Sequence, residues 1–520
     1  MPEIRAVATP SDRAWLVLLS VGLPLLLLAL LGQDTNWDLR NYHLYNPHAW
    51  LQQRDGLDIA PAQLQSWHNP LLDVPLYLMT QARWHGAWIG LWLTLPTLLA
   101  IHCLLRLQRQ LTDGPVPRSA SLALTVIALL GAGATTALGS SFNDAFVAGG
   151  MLAALCCVVG PTPVRPRAWL IAGVIAGAVM GLKLTAALYC LGLAGAAAVG
   201  GPMRGAPQRL LLLALGGLLG FALTYGYWAW HLFVLHGNPV FPYFNQVFQS
   251  PDALPVAIED RRYRPKTVMD AFWVPLRLLQ ESMRYSEAPL RDPRMLLGVL
   301  AWPALALLRP RLAAMTNDLR IVLAFFFVSF GLWLVQYGIY RYLLPLEMLS
   351  GLAVVLLLAR LPRRWRGAAQ LAAVIVIVAS TVQPHWGRAR FAPALTTMTR
   401  LPANSLVVIS SWDPLAHGVL RLEGRVPVLS MHNNFMWPDR CTRLQEQVWT
   451  RLATHEGPLW LLREGGDRVD DQESQLAAYG LQRAGACRDL PTDYETLSLC
   501  PLVRHPVPAT CPPSTAGSGR

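Results

Sequence analysis

Residues 35–51 read TNWDLRNYHLYNPHAWL, immediately after an unbroken apolar run. One acid, one arginine, two histidines and two tyrosines crowd into this stretch. Asn36 can cap a short helix with Asp38 in its first turn, where a carboxylate is favourable. Helical spacing then sets Asp38, Tyr42 and Tyr45 on one face, with Leu39, His43 and Asn46 beside them. Asn46-Pro47 reads as a cap followed by proline at the first helical position, opening a second helix that Gly56 ends. Trp37, Tyr42, Tyr45 and Trp50 suit a membrane interface. Either Asp38 only caps an interfacial helix, or an acid just outside the first membrane crossing does chemistry there.

Outward from this loop the chain is apolar. Its 520 residues are 53% hydrophobic and 14% charged, against roughly 25% charged in ordinary soluble domains. Apolar runs approach the ~20 residues that cross a bilayer. They predict a polytopic α-helical membrane protein of about eleven transmembrane helices. These fall near 15–32, 86–107, 120–138, 146–159, 168–182, 184–198, 210–230, 295–308, 321–337, 342–361 and 368–382. The first run has no small-residue cleavage site after it and reads as an uncleaved anchor.

The net charge of +12 is carried almost wholly by arginine, with only two lysines, Lys183 and Lys266. The charge sits in short loops between runs, as an orientation signal does, and does not argue for nucleic acid. Basic residues mark every second loop: Arg5 and Arg13, then Arg106 to Arg118, Arg165 and Arg167, Arg204 and Arg209, Arg309 and Arg311, and Arg360 to Arg366. The positive-inside rule therefore puts the N-terminus in the cytoplasm. Asp38, Asp144, Lys183, a long loop at 227–294, Arg341 and the tail from Gln383 then fall outside.

The tail is different material. SLVVISSWDPLAHGVLRLEGRVPVLSM and GPLWLLREGGD read as short buried strands among helical stretches, LAAYGLQRAGACRDL has helical spacing, and YETLSLCPLVR returns to strand. The expected organisation is a transmembrane domain over 1–383 with external loops 33–85 and 227–294. A periplasmic α/β domain over 384–511 and a disordered end at 512–520 follow. Cys441, Cys487, Cys500 and Cys511 allow one or two disulfides, with the pairing open.

Three further groups can carry chemistry. Asp144, in LGSSFNDAFVAGG, lies in a tight turn, where it either caps the next helix or contacts substrate. Lys183, in AGAVMGLKLTAALYC, has no polar turn residues around it. It either snorkels to the surface or pairs with a buried anion. Arg341, in QYGIYRYLLPLEML, is an interfacial anchor with Tyr340 and Tyr342 or a second anion ligand. In the long loop, HGNPVFPYFNQVFQSP suggests a rigid, partly buried re-entrant or lid-like segment, and Arg261, Arg262, Arg264 and Lys266 either hold phosphate or form a solvated charged loop. Two acids and two or three cations on one membrane face are the parts needed to move a sugar. A base activates a hydroxyl, and cations stabilise a phosphate leaving group.

The order of these parts resembles the membrane-embedded GT-C glycosyltransferase superfamily. WDLRNYHLYNPHAWLQQRDG resembles its first external loop, FNDAF its second external acid, GLKLTAAL its lysine-bearing hairpin and YRYLLPLEML its late Arg-Tyr-Leu-Leu-Pro run. The resemblance spans about residues 15–382 and implies a GT-C-like core with an external C-terminal domain. It implies inverting transfer from a polyprenyl-phosphate-linked sugar donor to a glycan or glycolipid acceptor, at the outer face of a bacterial inner membrane. By the same resemblance Asp38 is the general base, Asp144 an acceptor- or metal-contacting acid, and Lys183 and Arg341 phosphate ligands. Tyr342, Tyr42 and His43 complete the substrate-binding set. Many relatives carry paired acids in the first loop, whereas Leu39 follows Asp38 here, so a divalent metal ion is an open possibility. If these residues form an active site, Asp38, Asp144 and Lys183 line one cavity. His417, Asp413 and His432 are the chemistry-bearing residues of the tail. Rival readings are a transporter or flippase of lipid-linked glycans, an O-antigen-type polymerase or ligase, and a noncatalytic assembly subunit. Internal repeats typical of transporters are not evident in the sequence.

Overall fold

The computed structural model describes residues 10–112, 114–160, 165–308, 317–393, 397–465, 470–505 and 511. The expected disordered end at 512–520, and Arg5, Arg309 and Arg311 of the basic set, lie outside the described residues. The chain forms two compact units. One comprises Met1–Gln33, Gly90–Gly226 and Asp260–Arg388, the other Asp34–Ile89, Tyr227–Glu259 and Ala389–Arg520.

Five helices among the described residues are long and apolar enough to cross a membrane: Ser11–Leu31, Gly86–Leu111, Met203–His236, Asn317–Gln336 and Tyr340–Leu358. Shorter apolar helices are Arg118–Leu129, Asp144–Val158, Pro166–Leu182, Leu184–Val199 and Arg294–Leu307, and Arg363–Ala379 follows. Each falls on an apolar run of the sequence, and the chain is a multi-pass membrane protein. Full spanning length is reached by five of these helices, not by all of the expected eleven.

The run expected as one helix over 120–138 is two. Helix Arg118–Leu129 stops, and Ala132–Ala137 starts after Gly131. The cause is a buried ionic network. Glu347 accepts the N–H groups of Gly133 and Ala134 at 2.8 and 3.0 Å, and Asp292 accepts that of Ala132 at 2.8 Å. Two carboxylates thus take the donors that would otherwise be orphaned at this helix start. Arg294 pairs with Asp292 at 2.9 Å, both side chains wholly buried. A Cβ on Gly131 would fall on the Glu347 carboxylate, so this break requires glycine.

Helix Pro166–Leu182 packs tightly along Met203–His236. A Cβ on Gly173 or Gly177 would meet the backbone of Leu213 or Gly217, and one on Gly216 or Gly220 that of Leu170 or Val174. Small residues facing each other bring membrane helices to backbone contact. That contact fixes the helix that ends at Lys183.

The second unit is built on a sheet of six strands: β1 (Leu406–Ser410), β2 (Val428–His432), β3 (Leu459–Glu464), β4 (Leu481–Arg483), β5 (Arg488–Pro491) and β6 (Thr496–Arg504). The order is β2-β1-β3-β6-β4, with β5 pairing β6 beside β4. β1, β2 and β3 are parallel, and the pairs made by β6 are antiparallel. β1 is buried along its whole length, as expected of a parallel strand covered on both faces. The stretch LAAYGLQRAGACRDL is not one helix. Helix Asp470–Ala478 ends, Gly480 turns in the left-handed region (φ 64°), and β4 and β5 follow. Cys441 bonds Cys511, and Cys487 bonds Cys500.

The loop after the first apolar run belongs to this same unit. Ile59 pairs with the β2 edge, donating to Val428 O at 2.9 Å and accepting from Ser430 N at 2.8 Å. Asp58 binds Arg54 at 2.6 and 2.9 Å, the Tyr45 hydroxyl at 2.9 Å and the Val428 N–H at 2.9 Å. The loop covers an otherwise open sheet edge. Tyr45 is buried in it and is not an interfacial anchor.

Candidate functional site

The candidate residues Asp144, Lys183, Arg341 and Tyr342, nearly 200 positions apart along the chain from first to last, form one cluster in the helical unit. Each sits where a helix is interrupted. Asn143 is left-handed (φ 62°), and Asp144 opens the helix Asp144–Val158. Lys183 is extended (φ −144°, ψ 102°) between helix Pro166–Leu182 and the turn Leu184–Ala186. Arg341 lies in the turn Tyr340–Leu343, ahead of helix Leu344–Leu358.

The Lys183 ammonium donates to Asp144 Oδ1 and to the carbonyl of Phe142, both at 2.5 Å. Asp144 Oδ2 is buried with no hydrogen-bond partner among the described residues, so Asp144 serves the lysine rather than merely capping its helix. The Arg341 guanidinium lies over the Phe142 ring at 4.6 Å, with Tyr342 at 5.4 Å and Trp386 at 5.9 Å. Lys183 Nζ is 5.4 Å from the same Tyr342 ring, so Tyr342 stands between two cations. Glu287 approaches Arg341 at 3.9 Å. The Tyr189 hydroxyl donates to the Tyr342 carbonyl and fixes that turn.

Sequence reasoning passed over Phe142, Trp386 and Glu287. Phe142 opens the quoted FNDAF but carries no charge itself, and Trp386 and Glu287 lie in none of the quoted stretches. It also passed over Asp292, Arg294 and Glu347, although Glu347 stands inside the quoted YRYLLPLEML. These are structural, since their charges are spent on one another and on a helix start.

Asp38, Tyr42 and His43 lie in the second unit. Asn36 caps as its sequence suggests, accepting the Leu39 N–H at 2.8 Å, while its amide donates to both Asp34 oxygens at 2.9 Å. The next turn, Leu39–His43, is a wide π-turn. It keeps Tyr42 over Asp38, hydroxyl to Oδ2 at 3.3 Å, but sends Tyr45 to Asp58. His43 Nδ1 and Asp73 Oδ2 are 2.8 Å apart and buried, which orients the ring, and Nε2 has no hydrogen-bond partner among the described residues. Tyr42 contacts the rings of His43 and His68, and His68 Nε2 meets the Tyr243 hydroxyl at 2.9 Å. Asn46 does not cap the second helix. That helix is Tyr45–Leu51, ending before Gly56, and the Asn46 amide instead donates to Gln65 O and His68 O.

In the α/β tail, His417 is buried against the carbonyls of Arg40 and Pro414 at 3.0 and 2.9 Å. Burial pushes its pKa down to about 4, which makes it a neutral packing residue. Asp413 bonds Ser411 at 2.5 Å, and His432 packs against Trp412 and Trp437.

The cluster at Asp144 does not suit a divalent ion. Its carboxylate is already matched by an ammonium, and no group of three or more His, Cys, Asp or Glu side chains is gathered for a metal among the described residues. Two cations flank Tyr342, and three helices begin beside them, each start carrying positive partial charge.

No family model matches the chain, and no curated protein matches it. Solved structures do. The crystal structure of ArnT from Cupriavidus metallidurans in the apo state aligns at TM-score 0.55 and 15% identity, over 94% of this chain and 98% of that one. The same ArnT bound to undecaprenyl phosphate aligns at 0.54 and 14% identity, with the same coverage. An Archaeoglobus fulgidus oligosaccharyltransferase in complex with Zn and sulfate aligns at 0.50 and 14% identity, over 90% of this chain and 69% of that one. At such identities the likeness establishes the fold alone.

Proposed function

We propose that this chain, which has the GT-C fold, is a membrane glycosyltransferase. It moves a sugar from a polyprenyl-phosphate donor to a hydroxyl of a cell-envelope glycan or glycolipid, with inversion, at the outer face of a bacterial inner membrane. The N-terminus is cytoplasmic and the α/β unit periplasmic. The observation that carries the reading is the meeting of Lys183 and Arg341 around Tyr342, in a fold shared with a protein solved with undecaprenyl phosphate bound.

In this reading the donor phosphate lies against Lys183 and Arg341. Asp38 takes the proton of the acceptor hydroxyl as its oxygen attacks the anomeric carbon. The bond from that carbon to the phosphate oxygen breaks, and its electron pair leaves on polyprenyl phosphate. The two cations favour the charge that gathers there more than they favour the intact donor, which is the condition for a rate gain. Tyr42 orients Asp38, Asp144 positions Lys183, and His43 contacts the acceptor. Positive charge for the leaving phosphate comes from these side chains.

The test is a mass comparison of envelope glycans and glycolipids from three strains: wild type, a deletion, and a chromosomal Asp38→Asn expressed at wild-type level. Loss of the same sugar unit in both mutants supports the reading and identifies the sugar. A glycan changed by deletion but not by Asp38→Asn removes Asp38 from catalysis and favours transport or scaffolding.

A further inference from the structure

Residues 260–284 of the helical unit have no part in the transfer chemistry above, yet two independent features meet there. The first is an apolar helix face turned to the outside. Helix Val268–Arg277 is capped by Thr267, whose Oγ1 accepts the Asp270 N–H at 3.0 Å. Val274 and Pro275 are its buried residues. Val268, Met269, Phe272, Trp273 and Leu276, at helical spacing, are all exposed, Val268 at 89% and Phe272 at 70%. A contiguous face of this kind left open marks an interaction surface, and the pattern is that of a helix lying in the plane of a membrane interface.

The second feature is a cleft of about 520 Å³ lined by Arg262, Tyr263, Arg264, Lys266, Met283 and Arg284. Four of the six are cations, and none is an acid. Part of this charge is already matched by carboxylates. Asp260 pairs with Arg262 at 2.7 Å, Asp270 bonds Arg277 at 2.7 Å and Arg284 at 3.3 Å, and Glu287 approaches Arg341. Met283, half exposed, is the apolar side chain of the cleft lining, and Lys266 of that lining is followed in the chain by the Thr267 cap and by Val268.

We propose that the cleft and the helix face form one binding site for an anionic bilayer phospholipid. Its phosphate sits among Arg262, Arg264, Lys266 and Arg284, and its acyl chain lies along Val268, Phe272 and Leu276. A soluble phosphate would use the cleft alone and leave the apolar face unexplained. A zwitterionic lipid would use the face and gain little from four cations. Only an anionic lipid matches both. The site is independent of the glycosyl-transfer reading, and its test needs no turnover.

The full chain, purified in detergent, is titrated with phosphatidylglycerol and with phosphatidylcholine of matched chains, bound lipid being counted by native mass spectrometry. The variants are Arg262→Gln/Arg264→Gln/Lys266→Gln and, outside the cleft, Val268→Ser/Phe272→Ser. At about fivefold per cation near a membrane surface, the triple variant loses phosphatidylglycerol affinity on the order of 100-fold. Its phosphatidylcholine binding is unchanged, and millimolar glycerol phosphate does not displace the lipid. The apolar variant weakens phosphatidylglycerol as well, and it decides the matter if the triple variant fails to fold. Equal binding by wild type and a folded triple variant overturns the proposal. So does displacement by glycerol phosphate, or an apolar variant that binds phosphatidylglycerol like wild type.

Discussion

Lys183→Met separates two roles that the same ammonium could play. The Asp144–Lys183 pair is nearly closed to solvent, with the side chains 5% and 15% exposed. Removing one partner of a buried pair costs about 3–5 kcal/mol, because the other charge is stranded. The partial exposure of Lys183 argues for the lower end. Lys183→Met alone is therefore expected to cost about 3 kcal/mol of stability by that rule. Adding Asp144→Asn removes the stranded charge and returns most of that loss. Catalysis responds differently. A charge-assisted hydrogen bond to a phosphate oxygen contributes about 1.5–3 kcal/mol, a factor of roughly 10–150 in kcat/KM, and the double variant has no means of restoring it. The assay pairs thermal unfolding in detergent with steady-state transfer from a polyprenyl-phosphate sugar to extracted acceptor. A double variant as stable as wild type but 10- to 150-fold slower supports a phosphate-binding lysine. A double variant with wild-type kcat/KM refutes it and leaves Lys183 as a helix brace.

Three other expectations concern stability. His417 is neutral in the fold, its pKa lowered to about 4 by burial, so the unfolded chain binds more protons below pH 6.5. Its contribution is whole above that pH and is lost as pH falls toward 4, up to about 3 kcal/mol. Melting temperatures of His417→Gln should fall less between pH 7 and 5 than those of wild type. His48, likewise held near 4 by burial, leaves a residual slope. Cys441–Cys511 closes a separation of 70 residues and Cys487–Cys500 one of 13. Loop-closure entropy makes the first worth about 4 kcal/mol and the second about 3, so double serine variants should melt in that order. Gly131→Ala drives a methyl onto the Glu347 carboxylate, whereas a Cβ on Gly226 meets nothing within 4 Å. The first should lower the melting temperature sharply, and the second should leave it nearly unchanged.

What could be read in advance follows from the range of each interaction. Membrane helices announce themselves because about 20 apolar residues in a row have few other uses, and the helices found lie on those runs. The split at Gly131 was hidden because its cause, Glu347, is more than 200 positions away. Asn36 was a legible cap because its partner, the Leu39 N–H, is three residues on. Asn46 looked equally good, but Gln65 and His68 claimed its side chain from another part of the loop. The strands β1, β2, β3 and β6 could be seen as apolar runs. Their order, and the pairing of Ile59 with the β2 edge, depend on contacts between segments with no shared pattern.

The site shows why the order of charged residues was informative when no single motif was. Asp144, Lys183 and Arg341 each stand at a break between helices, the place in a membrane domain where backbone groups lose their internal partners. A break of that kind needs polar side chains to survive in an apolar setting. Lys183 answers this need directly, by taking up the Phe142 carbonyl as well as Asp144. The bland reading, that such residues only repair the breaks, accounts for Asp144 and Lys183 but not for Arg341, which lies over the rings of Phe142, Tyr342 and Trp386. The exposed partial charges at the start of a helix are positive, and carboxylates would repair them, as Asp292 and Glu347 do at Ala132–Ala137. Around Tyr342 the chain sets two cations, each with a carboxylate near it: Lys183 meets Asp144 at 2.5 Å, and Arg341 lies 3.9 Å from Glu287. The Arg341–Glu287 contact is looser than an ordinary ion pair, so an incoming phosphate could take the guanidinium from it, and that is the physical ground for proposing a phosphate site here.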